Sequence, residues 1–180
     1  MNPTISNISE DGDLYKFTLS NINVSLANAI RRTVLSDIPV LGFDAENKKQ
    51  CQIERNTGRL HNEILKHRLT CIPIHMNELD ILPNNYVMEL DMINETDNLI
   101  YITTEDFKIK NKDNDNYLTK EETRKIFPPS IKTNMFLDFA RLRPKIGPTI
   151  PGEQIKLTCE FSVKNAKDNS TYNVVSNCAY

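Results

Sequence analysis

The sequence predicts an α+β fold. Two stretches carry apolar residues at the three- to four-residue spacing of a helix, strand-like stretches outnumber them, and the two kinds do not alternate in a βαβ rhythm. The first strand is Leu14 to Leu19, where Tyr15, Phe17 and Leu19 alternate with Leu14, Lys16 and Thr18. After the polar turn Ser20 to Asn23 the period changes: Leu26, Ile30 and Val34 lie four apart, with Ala27 and Ala29 beside them. Ser25 is placed to cap the free amides at the start, and Pro39 stands beyond the end. The spacing predicts a helix over Leu26 to Asp37.

Val40 to Phe43 and Cys51 to Ile53 read as a pair of strands around the polar turn Glu46 to Lys49. Leu60, Ile64, Leu65 and Leu69 make the apolar face of a second helix, which stops near Cys71, before Pro73. Tyr86 to Met92 and Leu99 to Ile102 resemble a hairpin over Asn94 to Asp97. The stretch Lys108 to Lys125 is very polar and reads as a solvated loop, ended by Pro128-Pro129. Met135 to Leu142 and Gln154 to Val163 are strands flanking the loop Gly147 to Gly152, and Thr171 to Val175 is the last strand candidate.

Composition narrows the function. A chain of 180 residues makes one domain or two small ones. The 22 Lys and Arg against 24 Asp and Glu give a net charge of −2, which is no electrostatic footprint for wrapping nucleic acid unaided. The five glycines cannot write a P-loop or a dinucleotide-binding loop, because those need glycine where the backbone meets phosphate. No apolar run approaches the roughly 18 residues of a membrane span. The polar, acidic N-terminus lacks the layout of a secretory signal. Cys51, Cys71, Cys159 and Cys178 form no CxxC pair, so reduced structural thiols in an intracellular protein are expected. The apolar fraction of 39% is low for a self-sufficient globule and suits polar loops or a core shared with partner chains.

Candidate chemistry is sparse. Asn111 to Glu122 places oxygen-bearing side chains at positions 1, 3, 5, 9 and 12 of an EF-hand-like loop. Asn111 stands where Asp is usual, Asn116 stands where Gly makes the sharp turn, and the entering segment is strand-like rather than helical. A calcium-binding interaction module using this loop is therefore the alternative function. His61 and His67 are six apart, on different sides of a helix, and Cys71 and His75 lack a second pair to complete four metal ligands. Glu121, Glu122 and Glu153 read as ordinary surface carboxylates, and no catalytic set emerges. Arg31-Arg32 is more informative: two adjacent arginines in an apolar helix cannot both face a core unpaired. The helix carries more apolar surface than one core face needs, which fits a helix shared with a partner through an arginine anchor.

Asn23-Val24-Ser25-Leu26-Ala27-Asn28-Ala29-Ile30-Arg31-Arg32, running on to Pro39, resembles the signature helix of the D/alpha-type assembly subunits of cellular DNA-directed RNA polymerases. Leu60-His61-Asn62-Glu63, His67-Arg68-Leu69 and Ile72-Pro73 are similar to a second motif of that family, in the same order. Arg141 to Pro144, Gly152 to Leu157, Ala166-Lys167 and Tyr172 to Val174 make a third, weaker match.

The resemblance implies a non-catalytic role: pairing with an L-type subunit, or a fused L-like half, to build the platform for the two large catalytic subunits. DNA is then met only through the assembled complex, and no membrane is involved. It also implies an RNA polymerase alpha/D-type dimerisation module interrupted by a mainly β insert domain. Residues 1–42 would be the first half of the module, 43–170 the insert, and 171–180 the start of the returning segment. Partner contacts are expected at Leu26, Ala27, Asn28, Ala29, Ile30, Arg31, Arg32, Val34 and Leu35, while His61, Glu63, His67, Arg68 and Pro73 carry structural motif roles. No metal or cofactor is expected, since the close cysteine run of many members is missing. The family's return segment continues into a long helix that nothing after Tyr180 supplies, so the chain is expected to be a fragment, or its dimerisation half to be incomplete. The Asn- and Lys-rich, Gly-poor character suits a large DNA virus, with a viral factory or virion as the location; otherwise the nucleus or cytoplasm is expected.

Overall fold

The computed structural model describes residues 2–12, 14–47, 49–175 and 177–180. The chain divides into two compact units: one takes the residues up to Pro39 together with Asn165–Tyr180, the other is Val40–Lys164.

In the first unit, β1 (Thr4–Asp11) pairs antiparallel with β2 (Leu14–Ser20). The sequence reading missed β1, whose apolar residues Ile5 and Ile8 are three apart and break strict alternation. The structure shows why: the register shifts between Ser6 and Ser9, with Asn7 at φ 52, so a bulge restores the face. Helix α1 (Val24–Ser36) follows. Its cap is Asn23, not Ser25: the Asn23 side chain accepts the Ser25 backbone N–H at 2.8 Å. The predicted strand at Thr171 to Val175 is instead a 3-10 turn, Ser170–Tyr172, followed by irregular backbone. Asn169 accepts the Thr171 N–H and Asn173 accepts the Val175 N–H, so local side chains take donors that a ladder would need.

The second unit is built around β9 (Gln154–Lys164). Strands β3 (Val40–Phe43) and β4 (Cys51–Asn56) lie end to end along one edge of it, and β5 (Tyr86–Ile93) lies along the other. Outside β5 comes β7 (Lys108–Asn111), and every pairing is antiparallel. A separate two-stranded sheet joins β6 (Ile100–Thr103) to β8 (Asp138–Leu142). The predicted hairpin does not form, since β5 and β6 go to different sheets; the predicted strands β3 and β4 both form but pair with β9 rather than with each other. Long β9 offers more apolar partner surface than a short neighbour does. Its Ile155, Leu157, Cys159 and Phe161 are buried, alternating with Lys156, Thr158 and Glu160 outside the core.

Helices α2 (Asn62–Thr70), α3 (Ile81–Asn85) and α4 (Lys120–Ile126) complete this unit. Leu65 and Leu69 of α2, Leu82 of α3 and Ile126 of α4 are buried in the core. A run of rings crosses that core, Phe161 to Phe43 to Phe127 to Phe107 to Phe139, with neighbouring centroids 5.1–6.2 Å apart. The stretch read as a solvated loop, Lys108 to Lys125, holds β7 and most of α4. Thr119 and Glu122 form a capping box there, a signal present in the sequence as Thr-x-x-Glu.

Candidate interaction surface

Helix α1 contains no buried residue. Ala27, Asn28, Arg31, Val34 and Leu35 are half-buried and mark its inner side, whereas Leu26, Ala29, Ile30 and Arg32 are exposed. The stripe Leu26, Ile30, Val34 is therefore split: its first two members face solvent, at 53% and 38% exposure. Arg31 lies on the inner side and its Nε and Nη2 both donate to Asn28 Oδ1, at 3.1 and 3.0 Å, which fixes the guanidinium plane. Arg32 projects outward.

The β1–β2 hairpin carries a second apolar surface. Pairing puts Ile5 opposite Leu19, and alternation from Leu19 puts Phe17 and Tyr15 on the same face. Tyr15 opposes Glu10, and Ile8, two residues before Glu10, completes the row. Ile5, Ile8, Tyr15 and Phe17 are all exposed, and the Tyr15 and Phe17 rings lie 5.9 Å apart. These side chains make the hairpin face a candidate contact surface.

In the second motif Leu69 and Ile72 are buried in the core, and Arg68 anchors the helix by hydrogen bonds. Arg68 Nε donates to the Phe139 carbonyl and its Nη2 to the Asp138 carbonyl, both at 2.7 Å, tying α2 to β8. His61 stands at the N-cap of α2 without a side-chain cap bond. Glu63 sits in the first turn, where a carboxylate complements the helix dipole, and His67 with Arg68 sits in the last. Exposed Pro73 follows, in a segment held by the His75 N–H on the Ile126 carbonyl at 2.9 Å.

The third motif contains a residue that the sequence misplaced. Glu153 is not a surface carboxylate but only 6% exposed. Its Oε1 takes the Arg143 Nε at 2.5 Å and its Oε2 takes the Arg143 backbone N–H at 2.8 Å. Beside this clasp, a Cβ on Gly152 would stand 1.7 Å from the Asn94 carbonyl oxygen, so only glycine fits. Buried Asn94 donates to the carbonyls of Asn98 and Leu142 and accepts from the Thr96 N–H and hydroxyl. This network pins the base of the loop Pro144 to Pro151. Arg143 and Glu153 are ten residues apart, a contact that local periodicity does not report.

The EF-hand reading is corrected by how its donors are used. Asn111 Oδ1 accepts the Asp113 and Asn114 N–H groups, and Asn114 Oδ1 accepts that of Asn116. Asp115 pairs with Lys110 at 2.8 Å and raises the Lys110 pKa, and Tyr117 donates to Glu89 at 2.7 Å. Glu122, the bidentate calcium ligand of an EF-hand, is bound to Thr119, whose hydroxyl and N–H hold its carboxyl below the usual value. The left-handed residue is Asp115 rather than Asn116. Among the described residues no group of three or more His, Cys, Asp or Glu is arranged to hold a metal ion, and no helix is long and apolar enough to cross a membrane.

The family model described as the RNA polymerase Rpb3/Rpb11 dimerisation domain matches residues 16–171. The chain belongs to this family. The match takes in most of β2, all of α1, the Arg68 tie and the Arg143–Glu153 clasp, and it is consistent with the α+β fold. Among curated relatives, the chain is similar to DNA-directed RNA polymerase subunit Rpo3 of Pyrococcus furiosus, 34% identical over 94 residues, covering 49% of this chain and 34% of the relative. It is also similar to DNA-directed RNA polymerase II subunit RPB3 of Schizosaccharomyces pombe, 36% identical over 80 residues, covering 44% and 25%. A conjugation stage-specific protein of Tetrahymena thermophila is 26% identical over 175 residues, covering 89% of this chain and 53% of that one. The chain thus spans well under two thirds of the curated relatives it matches. These relatives are archaeal and eukaryotic, and they give no support to the viral source suggested by composition.

Proposed function

We propose that this chain is a non-catalytic assembly subunit of DNA-directed RNA polymerase. It dimerises with an L-type subunit, or a fused L-like half, and the pair forms the platform for the two large catalytic subunits. DNA is contacted only through the assembled enzyme. The observation that carries the reading is the family's dimerisation-domain match over a helix with no buried residue.

The physical logic is that Leu26 and Ile30 on α1, together with the apolar face of the hairpin, gain by leaving water on a partner. Arg31, already fixed on Asn28, then binds with little side-chain entropy left to lose, and Arg32 supplies a charge at the rim. Ala27, Asn28, Ala29, Val34 and Leu35 shape the rest of the contact. His61, Glu63, His67, Arg68 and Pro73 hold the α2 region in place and do not touch substrate. In this reading residues 1–42 and 171–180 belong to the dimerisation module, and 43–170 form the insert.

Tagged chain purified from its native source should carry an L-type subunit and two large polymerase subunits with it. Recovery as a lone monomer, with no polymerase subunit at any salt concentration, overturns the proposal.

A further inference from the structure

Cys51 and Cys159 are remote in sequence but directly opposite each other on β4 and β9. The Glu160 N–H donates to the Gln50 carbonyl at 2.8 Å, which makes the cysteines a non-hydrogen-bonded pair of the antiparallel ladder. Such pairs hold their Cα atoms about 4.5 Å apart, with the side chains closest, inside the roughly 4.4–6.8 Å that a disulfide spans. Both side chains are free thiols turned into the core, 2% and 0% exposed, and the Cys159 thiol donates to the Glu160 carbonyl at 3.6 Å. Cys71 and Cys178, by contrast, are not buried. A pair of facing thiols has no packing advantage over two small apolar residues, and it has a chemistry that those lack.

We infer that Cys51 and Cys159 form a cross-strand dithiol that a small-molecule disulfide oxidises to a cystine joining β4 to β9. Cys51 is the attacking sulfur, because the Cys159 thiol and nearby Lys66 favour its thiolate. It displaces one thiolate from the small disulfide and becomes a mixed disulfide. Cys159 is held protonated by Cys51 itself and by burial, and loses the first restraint once Cys51 carries no charge. Its sulfur then attacks the Cys51 sulfur and releases the second small thiol, which leaves with the Cys159 proton. Two protein thiols are oxidised and one small disulfide is reduced to two thiols. Access comes from β4, which pairs only with β9 among the described strands and carries Cys51 as its first residue, so that local opening of this edge admits the reagent.

The test uses the full chain carrying Cys71→Ser and Cys178→Ser, which leaves the core intact, incubated with oxidised glutathione. The expected product has lost two hydrogens, retains no glutathione, yields a single Cys51–Cys159 crosslinked peptide and unfolds at a higher urea concentration than the reduced chain. Dithiothreitol restores the two hydrogens, removes the crosslink and returns the urea midpoint to that of the reduced chain. Two free thiols after prolonged incubation overturn the inference, and so does a glutathione adduct that persists without closing to the cystine. Neither result bears on polymerase assembly.

Discussion

Replacing Leu26 and Ile30 together with serine separates a helix that packs in its own unit from one that waits for a partner. With 53% and 38% of these residues exposed, that share of their surface remains to be buried on association. Full burial of a Leu or Ile side chain contributes about 1.5–3 kcal/mol, so the exposed shares together contribute about 2 kcal/mol to binding. That corresponds to a weakening of Kd by roughly 30-fold. By the same arithmetic the isolated chain loses the shares already buried, also about 2 kcal/mol, so it is the weakened Kd and not a fall in melting temperature that marks the partner contact. Because the protein has no tryptophan, far-ultraviolet circular dichroism serves for thermal unfolding of the chain, and calorimetry for titration with the proposed L-type partner. An unchanged Kd would refute the reasoning, whatever the melting temperature does, since it would mean that these side chains take no part in the partner contact.

Gly152→Ala forces a Cβ against the Asn94 carbonyl oxygen and should destabilise Val40–Lys164 by about 3 kcal/mol, read as a lower urea midpoint; an unaltered midpoint would mean that this loop base is not packed as described. Arg68→Ala removes both donations to β8 and should cost about 2 kcal/mol, while Arg68→Lys recovers only part of it, because one ammonium cannot reproduce the two-pronged geometry. The Glu122 carboxyl titrates below its ordinary value of 4.5 in the folded chain because Thr119 binds its charged form. Its contribution to α4 is therefore complete above that ordinary value and is lost as the pH falls through the lowered one. Amide exchange in α4 should accelerate over that acid range, and Glu122→Gln should abolish this pH dependence. Calcium titration of the intact chain should release no heat attributable to Asn111 to Glu122, since the site's would-be ligands are bound to the protein.

What could be read from the sequence was whatever is decided within about one helical turn or one strand. Leu26, Ile30 and Val34 announced α1 through their spacing, Leu65 and Leu69 announced α2, and alternation announced β2 and β9. The family motifs were legible for the same reason, being contiguous runs around α1 and α2. The errors fell where two sequence-equivalent choices compete. Nothing local tells β3 to choose β9 over β4, or β5 to leave β6, because each strand offers the same backbone donors and acceptors to any partner.

Tertiary structure made those choices through β9, the strand long enough to bury several neighbours at once. In doing so it decided the chemistry of individual side chains. It set Cys51 opposite Cys159 and sank Glu153 beneath Arg143. The sequence by itself determined that this is an α+β chain with an apolar, arginine-bearing helix, since helix and strand periods are local properties of the backbone. Which face of that helix stays uncovered was decided only in three dimensions, because burial depends on residues far away along the chain.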